Sequence, residues 1–308
     1  MNFRARQKWP MWLPVLLSVA CQGWEPVLVS SGEFEPMLNV VAVLSPDGPE
    51  VTVLIQQILP MEGPSGTGEI RIDTVWYEDW VTGDSSYFLQ EYEVSRFEVN
   101  DAVVSMAWAD SSVDFAYAGA SAQNWHMSRY RPIGAGFVPR GGVTYQLSIN
   151  TPGGLAVTGS TTVPRTARMI ASYTPDTLSA SEPVPLAWEA STGFYQINLN
   201  YDFNLETERF WCIRDVQEVV LDDTTWLGEP LVVPECPPAP GDFIWYTMSV
   251  AALDSNYYRY FIRDPGERSN FTFFLLGEGD EASAYGIEGG LGVFGAYRSD
   301  ALVRLVVP

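Results

Sequence analysis

The chain has 308 residues and carries 38 Asp and Glu against 17 Lys and Arg, a formal net charge of −21. Such an acidic balance argues against nucleic acid and anionic lipid surfaces and permits cationic partners, Ca²⁺ included. His126 is the only histidine and Lys8 the only lysine, which excludes a multi-histidine zinc site and leaves little room for lysine-based Schiff-base chemistry.

Arg4, Arg6 and Lys8 precede a short apolar run, Trp12–Ala20, broken once by Pro14. Small residues, Ser18-Val19-Ala20, then lead into Cys21. This is the build of a secretory signal, and the run is far shorter than the ~20 apolar residues of a membrane-spanning helix. The ending resembles a bacterial lipobox, with Leu17 one place earlier than the usual leucine. The resemblance implies a cleaved signal peptide over 1–20, a lipidated Cys21 and a tether over 21–36. An ordinary secretory signal with an incidental cysteine is the alternative. Without its three basic residues the chain has 14 positive and 38 negative side chains, 14 − 38 = −24. With Cys21 lipidated, Cys212 and Cys236 remain, and an oxidising compartment favours their pairing over two buried thiols. Such a bridge closes a loop of about 25 residues and contributes roughly 3 kcal/mol in the chain-entropy model.

The rest of the chain reads as strands. Leu38–Leu44 is a β-rich run closed by the turn cluster Ser45-Pro46-Asp47-Gly48, and Val51–Ile55 is its partner. Val94–Glu98 alternates toward Val103–Trp108 across Asn100-Asp101. In Gly141–Ile149 the residues Val143, Tyr145, Leu147 and Ile149 share one face; Pro152-Gly153-Gly154 turns the chain and Ala156–Thr162 returns. No stretch sustains a helical apolar period over three turns. A domain boundary is expected at Thr162-Val163-Pro164-Arg165, dividing an N-terminal β-domain, 37–165, from a C-terminal one, 166–308.

In the second half, Val184–Glu189 carries Trp188, the turn Ser191-Thr192-Gly193 follows, and Tyr195–Tyr201 alternates. This pattern resembles the start of a fibronectin type III or immunoglobulin-like sandwich, in which such aromatics fill the space between the sheets. Thr247–Asp254 is a later core strand, and 206–241, with both cysteines and the proline-rich Pro234–Pro240, reads as a stapled insertion. Short strands, frequent turns and no crossover helices give an all-β fold class of two antiparallel β-sandwich domains.

Several segments in order carry a wider likeness: the signal, Leu38–Leu44, Asn100–Val104, Gly141–Ile149, Thr161-Thr162-Val163-Pro164 and the glycine-rich ending Ile287–Tyr297. The order resembles the lipoproteins of the "domain of unknown function 4249" family of Gram-negative bacteria. The resemblance implies an envelope lipoprotein with immunoglobulin-like β-domains working beside an outer-membrane transporter. It supplies no catalytic residues. The acidic stretch Gly277–Glu281 departs from the pattern before the ending.

Gly289-Gly290-Leu291-Gly292 lacks the strand-to-helix setting of a nucleotide loop and reads as a bulge or tight corner. Asp222-Asp223 and the Glu278-Asp280-Glu281 loop offer oxygen ligands of the type Ca²⁺ takes, without EF-hand spacing; solvated turns are the bland reading. The aromatic clusters are more informative. Trp76 and Trp80 stand among acids, Trp125 beside His126, and Tyr257-Tyr258-Arg259-Tyr260-Phe261 forms a continuous run. As a strand, that run puts Tyr258 and Tyr260 in the core and Tyr257, Arg259 and Phe261 on an open face. The candidate binding surface is thus Trp76, Trp80, Trp125, Tyr257, Arg259 and Phe261, with packing beneath loops as the alternative.

These readings converge on a non-enzymatic, lipid-anchored envelope protein without cofactor, an accessory of an outer-membrane uptake or assembly complex. Gln22 after the cysteine, in place of Asp, accords with the outer membrane. A stand-alone carbohydrate- or peptide-binding lipoprotein is the second reading, and a carboxylate-based hydrolase a distant third.

Overall fold

The computed structural model describes residues 36–48, 51–58, 69–78, 85–94, 97–119, 129–134, 136–201, 216–231, 244–263 and 284–307. They belong to one compact unit, Pro36–Pro308. The protein is all-β, with most strands in one large curled sheet. The first half supplies β1 (Met37–Leu44), β2 (Val53–Ile58), β3 (Glu69–Glu78), β4 (Ser85–Val94), β5 (Val103–Trp108), β6 (Ser111–Ala118), β7 (Arg129–Pro132), β8 (Thr144–Asn150) and β9 (Ala156–Thr162). The second supplies β10 (Thr177–Ser179), β11 (Val184–Ala187), β12 (Phe194–Tyr201), β13 (Val216–Leu221), β14 (Thr225–Gly228), β15 (Ile244–Leu253), β16 (Ala284–Tyr285), β17 (Ile287–Glu288) and β18 (Leu291–Val307). A helical turn, α1 (Ser255–Tyr257), widens into a π-type coil over Tyr258–Arg263.

Strand alternation sets the cores. Leu38, Val40, Ala42 and Leu44 of β1 are buried on one face, as are Tyr145, Leu147 and Ile149 of β8. The period-2 pattern legible in both runs is therefore the pattern of burial. Two apolar clusters result. The first gathers residues between Leu38 and Val163, together with Ile287, Phe294 and Ala296 from the far end of the chain. The second gathers Ala167–Ala252 residues and Val306. In it Trp188 and Tyr195, the aromatics of the tryptophan and tyrosine strands, lie with ring centroids 5.3 Å apart.

The 17-residue β18 serves both clusters. Leu291–Ala296 pairs parallel with β1. From Tyr297 the same strand pairs antiparallel with β15, Tyr297 opposite Leu253 and Val306 opposite Ile244. Ahead of it, β17 pairs with β9, so the sheet curls back around the first cluster. The Gly289–Gly292 corner allows this closure. Gly289 and Gly292 have φ of +79° and +102°, and a Cβ on Gly292 would collide with the Val40 carbonyl oxygen. Glycine alone accommodates both demands.

Within 206–241, the described part is not a bare insertion. There β13 pairs with β12 and β14 pairs with β11, so both extend the second half's sheets. Cys21, Cys212 and Cys236 lie outside the described residues. Among the described residues no helix is long and apolar enough to cross a membrane.

Candidate functional site

The feature least explained by packing is the hairpin of β3 and β4, a two-stranded sheet of its own. Its register is regular over ten pairs, including Ile70↔Glu93, Ile72↔Glu91, Thr74↔Leu89 and Trp76↔Tyr87. Antiparallel pairs share a face, so Ile70, Ile72, Trp76, Tyr87 and Leu89 form one apolar stripe. All five are exposed, by 60% or more: Trp76 by 62% and Ile70 by 65%. The Trp76 and Tyr87 rings lie 5.1 Å apart and tilted by 49°, the geometry of an attractive aromatic pair. Single exposed apolar side chains are ordinary; a continuous stripe on an element outside the main sheet is the feature that packing leaves unexplained, which makes it the candidate site. Of the sequence-derived candidates, Trp76 is exposed. Ile70, Ile72, Tyr87 and Leu89 escaped the sequence reading, although the alternation of Ile70, Ile72, Thr74 and Trp76 was a usable signal. Trp80 and Trp125 lie outside the described residues.

The run Tyr257–Phe261 is not a strand. Asp254 ends β15 and caps the following turn: its Oδ1 accepts from the Tyr257 amide at 2.8 Å. An aspartate at that place starts a helix, and the run then winds instead of alternating. Tyr257 is half-buried between Phe261 at 4.6 Å and Tyr297 at 5.5 Å. Burial, and to a lesser degree Tyr297, push its phenol above the ordinary range. Tyr258 stacks on Phe194, centroids 4.4 Å apart, and is half-buried, as is Tyr260. The expected division into a core pair and an open face is thus corrected. Arg259 is exposed and Phe261 is 36% exposed, but Tyr257 is a packed residue.

Asp254 itself joins the two halves. Its Oδ2 accepts from the Thr161 hydroxyl of β9 at 2.6 Å, and its Oδ1 also accepts from the Ala296 amide of β18 at 3.0 Å. Burial raises its pKa above the ordinary carboxylate value, and these hydrogen bonds oppose that shift. Asn256 donates to the carbonyls of Ser160 and Phe294. Arg298 donates to the Arg165 carbonyl and pairs with Asp47 at 3.4 Å. Asp300 accepts from the Met169 amide at 2.8 Å. A cleft of about 470 Å³ lies at this seam, bordered by Thr161, Arg165, Thr192, Phe194, Asp254 and Asn256 among others. Its best-placed polar groups already bond the protein itself.

The acidic candidates behave as turns. Asp222 sits at φ +56° between β13 and β14. Asp223 Oδ1 accepts from the Thr224 and Thr225 amides and the Thr225 hydroxyl, which together hold its pKa below the ordinary value. Among the described residues no group of three or more His, Cys, Asp or Glu is placed to hold a metal ion. Asp280 lies outside them.

Fold and surface together define an all-β protein whose one long closing strand serves two cores and whose aromatic hairpin faces solvent. A family model described as "Domain of unknown function (DUF4249)" matches residues 25–301. The chain belongs to that family, the one its segment order resembles. No curated protein matches it in sequence.

Proposed function

We propose that this chain is a non-enzymatic binding protein of the cell envelope, lipid-anchored through Cys21, that serves as an accessory of an outer-membrane uptake or assembly complex. The observation that carries the reading is the solvent-facing stripe of Ile70, Ile72, Trp76, Tyr87 and Leu89. A soluble domain gains nothing in its own stability from displaying these side chains, and tryptophan and tyrosine dominate the energetic centres of protein interfaces. The N-terminal pattern ending at Cys21 supports the anchor. The reading as a lone carbohydrate binder has weaker support, because Asp254, Thr161, Asn256 and Thr192 at the seam cleft spend their hydrogen bonds internally.

The two clusters support two sandwich-like domains, 37–165 and 166–308, that share β18. In the second, β11 and β14 form a separate two-stranded layer whose Val184 and Leu186 pack in the same cluster as Tyr195 and Ile197 of β12.

A photo-reactive phenylalanine analogue in place of Tyr87 tests the binding reading in intact cells. Irradiation is expected to yield a discrete heavier adduct between this protein and another envelope protein. The same analogue at Thr158, on the exposed side of β9, should give none. Equal labelling from both positions, or none from Tyr87, overturns it.

A further inference from the structure

We propose that the exposed face of the β3–β4 hairpin docks a protein partner whose contact surface is an apolar strip rimmed by lysine or arginine. The inference rests on the hairpin as the binding element and adds the chemistry of what it meets. The apolar part follows from the five side chains already named, centred on the Trp76–Tyr87 ring pair. The basic rim follows from charge. On the face that carries the stripe, alternation and register place Glu78, Glu91 and Glu93 and no lysine or arginine, a formal charge of −3, while Arg71 falls on the opposite face. Glu91 is exposed and opposes Ile72, while the register sets Glu93 opposite Ile70. Acidic positions therefore flank the apolar stripe at both ends, Glu91 and Glu93 beside the isoleucines and Glu78 beyond Trp76.

Charge decides among occupants. A bilayer accepts Trp, Tyr and Ile at its interface, but anionic headgroups repel this density of carboxylates. A second copy in a two-fold contact brings the same patch against itself, three carboxylates facing three, with like charges crossing the seam. A basic-rimmed protein groove satisfies both components: rim cations steer and orient the encounter, and the Trp76–Tyr87 pair supplies the desolvated centre.

The test uses the full chain in mild detergent and a fluorescent strand-forming peptide alternating valine with lysine. A valine–glutamate peptide and phosphatidylglycerol vesicles are the counter-probes. The lysine peptide should bind, and W76S/Y87S should weaken it about tenfold or more at unchanged protein charge. Binding should also fall steeply from about 0.1 M to about 1 M salt, as the Debye length shrinks from about 10 Å to about 3 Å. E91K should weaken it in the same direction. Equal binding of the glutamate peptide, indifference to W76S/Y87S, preference for vesicles, or Trp76-dependent self-association in sedimentation each overturns the proposal. Should the Tyr87 photo-adduct form while the lysine peptide shows no preference, the charge assignment fails and the hairpin remains a binding element. Absence of the photo-adduct overturns that underlying reading instead.

Discussion

Asp254 concentrates three roles in one carboxylate: helix cap, strand tie and hydroxyl acceptor. Its burial raises the folded-state pKa above the unfolded value of about 3.9. Between the two values the native state keeps a proton that the unfolded chain has released. The contribution of this group to stability is therefore full below the unfolded value and is lost as pH rises through the folded one. Asp254→Asn keeps the Oδ1 acceptor for Tyr257 and Ala296 and replaces the acceptor of Thr161. Its melting temperature should change less between about pH 4 and about pH 8 than that of the wild type, and parallel curves would contradict the assignment. Asp254→Ala, which removes every bond, should cost about 2 kcal/mol or more by urea titration. The strand pattern before this residue was legible, because β15 shows the alternation of a core strand. The turn after it was not. A single aspartate before Ser255-Asn256 is the whole local signal, and seven following residues with strand-like aromatics outweigh it when composition alone is read. Whether Tyr257 packs depends on Tyr297, forty residues away, and no local pattern contains that contact.

At the scale of elements, β18 decides the architecture, and the glycines ahead of it decide β18. Gly292→Ala would combine a positive φ with a collision at the Val40 carbonyl, so it should destabilise by about 2 kcal/mol or more. Gly153→Ala, in the β8–β9 turn, meets only the Thr151 hydroxyl at 3.8 Å and should be nearly neutral. Equal effects at the two sites would defeat the account of the corner. The glycine-rich ending was readable as a tight corner, since it lacks any helix to follow. That its strand changes partner at Ala296–Tyr297, from β1 to β15, was not readable, because pairing across 250 residues leaves no mark on local alternation. The same limit hid the pairing of β13 and β14 within 206–241. For the cysteines that flank those strands, a bridge between Cys212 and Cys236 remains the expectation. Non-reducing mass spectrometry of a digest should show the linked peptides, and two freely alkylated thiols in protein taken from the envelope would refute it.

For the whole molecule, the N-terminal pattern carries the proposed envelope setting and the hairpin the proposed binding role. Cys21→Ala should leave the precursor uncleaved or release the protein from the membrane fraction; normal processing and retention would refute lipidation. The acidic balance makes an exposed apolar stripe tolerable, since like charges hold copies apart. The main claim is that this stripe binds a partner and contributes little to folding. Surface substitutions away from packing usually shift stability by no more than about 0.5 kcal/mol. The most direct measurement is therefore the size of the full-length protein extracted from envelopes in mild detergent, by sedimentation, beside the melting temperature of the purified chain. Wild-type protein should sediment as a complex heavier than its own mass, and W76S/Y87S should sediment alone while melting within a degree or two of the wild type. A W76S/Y87S protein that keeps the complex, or that loses it only by unfolding, would contradict the account.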